Sequence, residues 1–248
     1  MLILLPPSES KATRTRGRPA DPSSWSFPLL APTRARVMDA LTSVSASPDA
    51  SSLLGVSEGL LDDVARNLRL DSAPSMPAAQ VYTGVLYDAL DLASLDTAAR
   101  RRANRWVVIV SALHGAVRLG DRITAYRLSM GATLPQVGPL AAAWRPALAE
   151  VLPDAAGSGA VVDCRSAPYA AAWRPAADLA PRWVQVRVPG ASHMAKHTRG
   201  LVTRHLCEVG EAPRSVPAVA EVVGRAFDVD LHEPASRTAP WVLDVLPR

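Results

Sequence analysis

Short runs of consecutive apolar residues alternate along the chain with longer segments in which apolar residues recur every three or four positions. Uninterrupted runs are typical of buried strands, and the longer spacing is typical of amphipathic helices. We predict strands at residues 2–5, 106–110, 160–164, 183–188, 227–231 and 241–245. The order of strands and helices favours a mixed α/β (α+β) fold, with a mixed β-sheet flanked by helices in a single domain over residues 1–248.

The predicted helices are bounded by candidate capping residues and by loops. Thr33 is a candidate cap of a helix that continues to residue 46, and Ser94 is a candidate cap of a helix over residues 94–104. Residues 12–32, rich in proline and arginine, predict a long surface loop, and residues 71–79 predict a linker. Further helices are predicted at residues 81–92, 138–151, 193–208 and 215–226.

Residues 50–70 predict two short helices joined by a tight turn, with Ser57 as a candidate N-cap of the second helix. The apolar-Gly-apolar turn at Gly55 resembles a helix-hairpin-helix element, whose backbone N–H groups contact DNA phosphates. On this hypothesis the DNA-binding candidates are Gly55, Val56, Ser57, Arg66, Arg69, Lys196 and Arg199. A plain helical hairpin is the alternative.

Composition limits the classes of protein to which the chain belongs. Its 248 residues are 48% apolar and 20% charged, a balance that supports a packed core and excludes a disordered chain. No apolar stretch is long enough for a membrane span, and the opening apolar run is too short for a signal peptide. The two cysteines, Cys164 and Cys207, make neither a disulfide framework nor a zinc site, so we expect a cytoplasmic protein.

The basic residues are divided unevenly between arginine and lysine. A formal charge of +4 permits an anionic partner without requiring one. Only two of the 27 basic residues are lysines, Lys11 and Lys196. Lysine offers a compact ammonium with an adjustable pKa, which a guanidinium cannot mimic. The two lysines are therefore candidates for functional positions, with chance survival as the alternative.

Polar side chains gather where predicted strands and turns end, which is where open α/β sheets usually hold ligands. The cleft candidates are Lys11, Tyr82, Thr83, Gly84, His114, Gly115, Arg118, Asp121, Tyr126, Arg127, Ser166, Tyr169, Lys196 and Arg199. If these residues converge, the arginines could bind an anionic ligand and Lys11, Lys196 or His114 could transfer protons. A structural polar network is the alternative.

Other familiar site chemistry finds no support in the chain. His193 and His197 have a spacing that suits a metal, but Lys196 lies between them and a basic helical face explains them better. The chain contains no P-loop, no dinucleotide-binding glycine pattern and no hydrolase serine elbow. We expect no metal and no cofactor, and we expect Cys164 to be inert in the core.

Blocks in the same order and at similar spacing resemble the YaaA family of peroxide stress proteins. The opening MLILLPPSESK, which ends at Lys11, is similar to that family's start, and residues 81–84 match its V-Y-x-G segment. Residues 111–131 resemble a block S-G-L-Y-G-x-L-R-P-x-D that ends in P-Y-R-L-E-M-G. Residues 162–169 resemble N-L-A-S-x-E-Y, and residues 195–200 resemble A-K-x-A-R-G.

Departures from these blocks indicate a divergent branch. His114 stands where Tyr is usual, Leu119 where Pro is usual and Ser129 where an acidic residue is usual. Asp163 stands for Asn and Pro168 for Glu in the later segment. A shifted ligand preference would follow from such changes.

The resemblance implies a single-domain mixed α/β fold with a helix-hairpin-helix element and a basic cleft. It also implies a cytoplasmic peroxide-stress protein that binds double-stranded or distorted DNA without sequence preference. Such a protein protects DNA against oxidative damage and limits free intracellular iron. We expect a monomer that makes no contact with a membrane. The alternative function is an enzyme or binder of a small anionic ligand in the Lys/Arg/His/Tyr-lined cleft, and catalysis is left open.

Overall fold

The apolar runs form the buried strands of one sheet in the computed structural model, which describes residues 1–190 and 192–247. The strands are β1 (Leu2–Leu5), β2 (Met76–Pro77), β3 (Val107–Ser111), β4 (Gly115–Arg118), β5 (Arg122–Ile123), β6 (Thr133–Leu134), β7 (Gly138–Pro139), β8 (Val161–Asp163), β9 (Trp183–Arg187), β10 (Phe227–His232) and β11 (Trp241–Pro247). Seven of them form a sheet in the order β10-β11-β9-β8-β1-β3-β4.

Helices flank this sheet, so the predicted mixed α/β fold is confirmed. They are α1 (Ala31–Ser45), α2 (Ala50–Leu54), α3 (Leu61–Ala65), α4 (Ala78–Val81), α5 (Val85–Leu90), α6 (Thr97–Trp106), α7 (Leu140–Ala156), α8 (Ala167–Ala170), α9 (Ser192–Val209) and α10 (Val216–Gly224). Short 3-10 turns lie at Pro22–Ser24, Pro28–Leu30, Glu58–Leu60, Arg66–Arg69 and Ala180–Arg182. In the described part of the chain, no helix is long and apolar enough to cross a membrane.

Strand β1 occupies the middle of the sheet. It pairs in parallel with β3 on one side and with β8 on the other, and all four of its residues are fully buried. Parallel strands covered on both faces need apolar side chains on both faces, which explains the uninterrupted run LILL. Antiparallel strands β4 and β10 close the two edges of the sheet.

The strand order reverses between β1 and β8. From β1 the chain reaches β3 on one side, whereas from β8 it reaches β9 on the other side. Residues 6–11 follow β1, and residues 164–169 follow β8. Both segments begin at the C-terminal ends of the parallel strands, and from there they lead away from each other. This topological switch point is where open α/β sheets usually bind ligands.

Helix α9 packs closely against α5, and glycine at position 200 makes this approach possible. A Cβ atom at Gly200 would overlap the backbone carbonyl oxygen of Leu86 and lie 2.8 Å from Cβ of Ala89. The contact holds the start of α9 near the C-terminal edge of the parallel strands, because α9 begins shortly after β9 ends.

Several predicted boundaries were wrong. Helix α1 begins at Ala31, before Thr33, because Pro32 suits the first turn of a helix. The predicted helix over residues 81–92 is interrupted by an extended segment that ends at Gly84, whose φ is +92°. Asp96, and not Ser94, caps α6, since its Oδ1 accepts a hydrogen bond of 2.7 Å from the N–H of Ala99.

Residues 12–32 form a long loop, as predicted, but the loop is anchored to the body of the protein. The buried Trp25 donates its indole N–H to the carbonyl oxygen of Arg122 at 2.7 Å. Ser26 donates from its backbone N–H and its hydroxyl to Asp121. The predicted linker over residues 71–79 contains a strand, β2, which pairs with β5.

Candidate functional site

Lys11 lies at the end of the loop that follows β1, beside two tyrosine rings. It forms an isolated antiparallel bridge with Tyr82, and its Nζ lies 5.8 Å from the centroid of that ring and 4.3 Å from the centroid of Tyr126. The same nitrogen donates to the carbonyl oxygens of Ser8 at 2.8 Å and Glu9 at 3.4 Å. Two aromatic faces and two carbonyl groups thus hold a partly buried amine at the switch point.

All four tyrosines of the chain belong to this site. The hydroxyls of Tyr82 and Tyr126 are hydrogen-bonded at 3.1 Å, and the ring of Tyr87 stacks on Tyr82 with centroids 5.6 Å apart. Tyr169 interacts electrostatically with Tyr126 and Tyr82. We call Tyr82, Tyr87, Tyr126 and Tyr169 the tyrosine cluster. Burial raises the pKa of each of the four, so their hydroxyls stay protonated at neutral pH.

A hydrogen-bond chain leads from the tyrosine cluster into the core. The hydroxyl of Ser111 lies 2.8 Å from Tyr126 Oη and 3.3 Å from Nδ1 of His114, and it accepts the backbone N–H of His114. Burial, followed by the charges of Arg34 and Lys11, lowers the pKa of His114 to about 3. His114 is only 1% exposed, so it is a neutral imidazole that packs against the ring of Tyr126 and does not reach solvent.

Arg127 lies next to Lys11 and is held by the buried Asn67. Its backbone N–H donates to Oδ1 of Asn67 at 2.8 Å, its carbonyl oxygen accepts from Nδ2 of the same residue at 2.9 Å, and its guanidinium donates to the carbonyl of Glu9 at 3.4 Å. Asn67 therefore ties the 3-10 turn Arg66–Arg69 to the loop of Lys11. Its role was not predicted, because nothing in the local pattern marks an asparagine that bonds across the chain.

The same turn forms one wall of a groove that begins beside Lys11. The cavity has a volume of about 420 Å³, and its lining includes Ala12, Arg14, Arg66, Arg69 and Ala125. We call it the arginine groove. Ala12 and Ala125 are the chain neighbours of Lys11 and Tyr126, so the groove and the tyrosine cluster are built on the same two backbone segments.

The surroundings of Lys11 make its amine less basic than usual. Burial is the main cause, and together with the positive charge of Arg127 it lowers the pKa of Lys11 from 10.5 to about 7, although Asp63 and Glu9 act in the opposite direction. A large fraction of the amine is therefore uncharged at neutral pH, and an uncharged lysine is a nucleophile and a base.

The loop after β8 is held by a buried ion pair that was not predicted. The guanidinium of Arg165 contacts the carboxylate of Asp163 at 2.7 Å, with both side chains fully buried. Arg165 also donates to the carbonyl oxygens of Tyr169 at 3.1 Å and Trp173 at 2.9 Å. The pair fixes the backbone that carries Ser166 and Tyr169. The sequence did contain a signal for this ion pair, because Asp163 and Arg165 flank Cys164 at the end of an apolar strand.

Other predicted cleft residues have structural roles nearby. Thr83 donates its backbone N–H to the hydroxyl of Ser8, which ties residues 82–84 to the loop of Lys11. Gly84 precedes α5, and Gly115 begins β4, where a Cβ would lie 2.5 Å from the ring of Trp144.

Arg118 and Asp121 do not reach the tyrosine cluster. Asp121 accepts the backbone N–H of Arg118 and the N–H and hydroxyl of Ser26. The guanidinium of Arg118 donates to the carbonyl of Arg105 and lies over the ring of Phe27. The two residues close the turn after β4 and anchor the long loop.

Comparison with known proteins identifies the family. A family model described as "Peroxide stress protein YaaA" matches residues 1–220. This chain belongs to the YaaA family of peroxide stress proteins. A UPF0246 protein of Streptomyces coelicolor is 48% identical to it over 255 residues, covering 99% of this chain and 98% of the relative. A UPF0246 protein of Corynebacterium efficiens is 36% identical over 252 residues, covering 98% of this chain and 100% of the relative.

Membership of the YaaA family supports a role in peroxide stress, as the family's name states. The predicted resemblance is therefore confirmed. Within this YaaA protein, DNA binding and ligand binding at particular residues remain predictions.

The second lysine of this YaaA protein differs from Lys11 in its surroundings. Lys196 lies on α9, and its side chain makes no hydrogen bond or ion pair among the residues that the structure describes. Arg199, one turn later, donates its Nε to the carbonyl oxygen of Val186 in β9 at 3.1 Å. The charges that act on Lys11 come from Arg127, Asp63, Glu9 and Arg66.

The turn at Gly55, where φ is +62°, joins α2 to the 3-10 turn Glu58–Leu60 and to α3, and its identity as a helix-hairpin-helix element stays a prediction. However, the N–H groups of Gly55 and Val56 donate to the carbonyls of Ser52 and Ser51, so they already close α2. Ser57 makes no capping hydrogen bond through its side chain. Glu58 lies in the first turn of the 3-10 turn Glu58–Leu60, and Asp62 and Asp63 lie in the first turn of α3. Their negative charges disfavour a phosphate there. Phosphate binding at this turn stays a prediction.

The sulfur and imidazole groups do not form a metal centre in the described part of the chain. No group of three or more His, Cys, Asp or Glu residues lies close enough there to hold an ion. The side chain of His193, one of the two histidines with metal-ligand spacing, lies outside the described residues. Burial raises the pKa of Cys164 and of Cys207 to about 12, so neither thiol is activated as a nucleophile.

Proposed function

We propose that this YaaA protein acts in peroxide stress by binding the phosphate backbone of duplex DNA in the arginine groove. The observation that carries the proposal is the convergence of Arg14, Arg66 and Arg69 on one concave surface. Arg66 pairs with Asp63 at 2.8 Å, whereas Arg14 and Arg69 make no ion pair among the described residues. Unpaired guanidinium groups in a groove suit phosphate oxygens.

The geometry shifts the expected contact from the Gly55 turn to the neighbouring arginines. The turn has acidic residues at its second helical segment, and two of its N–H groups are occupied. The arginines of the groove need no base-specific geometry, so binding should be tolerant of sequence. Release of counterions from the duplex makes such binding strongly salt-dependent.

The test is fluorescence anisotropy of a labelled short duplex between about 50 mM and about 200 mM salt. The double variant Arg14→Ala/Arg69→Ala should weaken binding and reduce the slope of log K against log salt by about 0.9 for each phosphate that the protein no longer neutralises. The matched control is Arg101→Ala/Arg237→Ala, which removes the same charge from exposed positions outside the groove. Equal weakening in both double variants would show that net charge, and not the groove, attracts DNA.

A second candidate function is binding of a small anionic ligand at the tyrosine cluster. It is favoured by the position of Lys11 and Arg127 side by side at the switch point, where residues 6–11 and 164–169 diverge. The same anisotropy experiment separates the two functions if a labelled nucleoside monophosphate replaces the duplex. A small ligand bound at Lys11 and Arg127 should persist in the groove double variant, whereas duplex binding should not.

A further inference from the structure

Lys11 lies beside the arginine groove, although its own side chain does not line the groove. Ala12 and Ala125 line the groove, and they are adjacent in sequence to Lys11 and Tyr126. The guanidinium of Arg66, another lining residue, is close enough to act on the charge of Lys11. A DNA strand bound along the groove would therefore pass close to this lysine.

This amine is held in place and remains accessible. Its Nζ is 2.8 Å from the carbonyl oxygen of Ser8 and 4.3 Å from the centroid of the Tyr126 ring, and the residue is partly exposed. A lysine amine that is uncharged at neutral pH attacks carbonyl carbons and forms imines. Intact DNA offers no aldehyde, but a nucleotide that has lost its base carries one at C1′ of the open sugar.

We propose that Lys11 forms a covalent imine with the C1′ aldehyde of an abasic nucleotide in DNA bound along the arginine groove. This inference rests on the proposed DNA binding. The lone pair of Nζ attacks C1′, the carbonyl oxygen takes up a proton, and the resulting carbinolamine loses one water molecule. No oxidant or reductant is consumed.

The protonated imine also weakens the neighbouring sugar bond. It withdraws electrons from C2′, so the C2′ proton passes to solvent and the 3′ phosphate leaves with the electrons of the C–O bond. Strand cleavage on the 3′ side of the abasic nucleotide is the product, and hydrolysis of the imine returns the free amine. The chemistry connects a peroxide-stress protein with a common product of DNA base damage.

The chain contains its own internal controls for this inference. It has two lysines, and the second, Lys196, lies on α9. A further primary amine is the Met1 α-amine, whose pKa burial also lowers. Met1 precedes β1 and Lys11 follows it, so the two amines lie beyond opposite ends of this central strand. Peptide mapping distinguishes the three amines without any substitution.

The experiment incubates the full-length protein with a duplex that contains one abasic nucleotide, in the presence of sodium borohydride, which reduces an imine to a stable amine. We expect a covalent protein–DNA adduct whose attachment maps to Lys11. Lys11→Arg should reduce the adduct yield at least tenfold, while Lys196→Arg should leave it unchanged. The rate of adduct formation should increase with pH, because deprotonation makes the amine nucleophilic. The midpoint of this increase should lie near the lowered pKa of Lys11, about 7.

Binding is measured in parallel with a duplex that carries a tetrahydrofuran abasic analogue, which has no aldehyde. If this duplex binds but no adduct forms, the imine is ruled out and the proposed DNA binding stands. An adduct that maps to Lys196 or Met1 also overturns the inference. If no duplex binds, both the proposed function and the inference are wrong.

Discussion

Two basic side chains, Lys11 and His114, lie against the ring of the same tyrosine and are both less basic than usual. Nζ of Lys11 lies 4.3 Å from the Tyr126 ring centroid, and the imidazole of His114 lies 5.3 Å from it. Burial is the main cause in each case, and the positive charge of Lys11 adds to the effect at His114. The same burial that makes the Lys11 amine more nucleophilic also makes the free energy of unfolding depend on pH, because the site disfavours the charged form of both the amine and the imidazole.

The linkage predicts how stability depends on pH. The pKa of His114 is about 3 in the folded protein and 6.5 for an ordinary histidine, so below pH 6.5 the unfolded chain gains a proton that the folded protein excludes. The free energy of unfolding should therefore fall between pH 6.5 and pH 3, by at most about 1.4 kcal/mol per pH unit for this one group.

His114→Asn should flatten this dependence, because the amide can still bond to Ser111 but does not titrate. Urea unfolding of wild type and variant at pH values on either side of 6.5 measures the effect. His232→Asn is the comparison, since it removes a histidine whose side chain is 43% exposed. Equal pH slopes for wild type and His114→Asn would contradict the assignment.

At the scale of elements, the contact between α5 and α9 determines where the start of α9 lies. Gly200→Ala should destabilise the protein by about 1–3 kcal/mol, because the added Cβ overlaps the Leu86 carbonyl and approaches Ala89 in a packed interface. Gly59→Ala is a matched control, since a Cβ there has open space around it. The comparison is made by urea unfolding, and a Gly200→Ala protein as stable as Gly59→Ala would show that the two helices can separate at little cost.

Strands β1 and β3 were predictable because each is buried on both faces and appears as an uninterrupted apolar run. The helix boundaries were less so. Tertiary hydrogen bonds break the helical pattern at residues 82–84, where Lys11 pairs with Tyr82 and Thr83 bonds to Ser8.

The site was predicted only in part, because the sequence shows where strands end but not which distant segments bond to each other. Lys11, Tyr82, Tyr126 and Arg127 lie together because strand ends meet at one edge of a sheet. Arg118 and Asp121 were grouped with them by closeness in sequence, although their hydrogen bonds lead to the long loop. Asn67 and Arg165 were missed because their bonds join distant segments or lie inside the core.

At the scale of the whole molecule, the arginine groove is assembled from segments that are far apart in sequence, including residues 12–15, 66–76 and 123–125. The first of these lies in the exposed loop just after β1, while β1 itself is fully buried between β3 and β8. A cut in the loop should therefore leave the strand in the sheet and change only one wall of the groove.

This arrangement predicts the outcome of brief digestion with trypsin. Arg14 and Arg16 are exposed, so we expect early cleavage there, whereas Arg34 is 2% exposed and should resist. The N-terminal fragment should co-elute with the remainder on gel filtration and separate only in urea, because β1 pairs with both of its neighbours. A duplex bound in the groove should slow cleavage at Arg14 several-fold without slowing cleavage at the exposed Arg237. Equal protection at both arginines would show that DNA covers the molecule without preference, and no protection at either would place the duplex outside the groove.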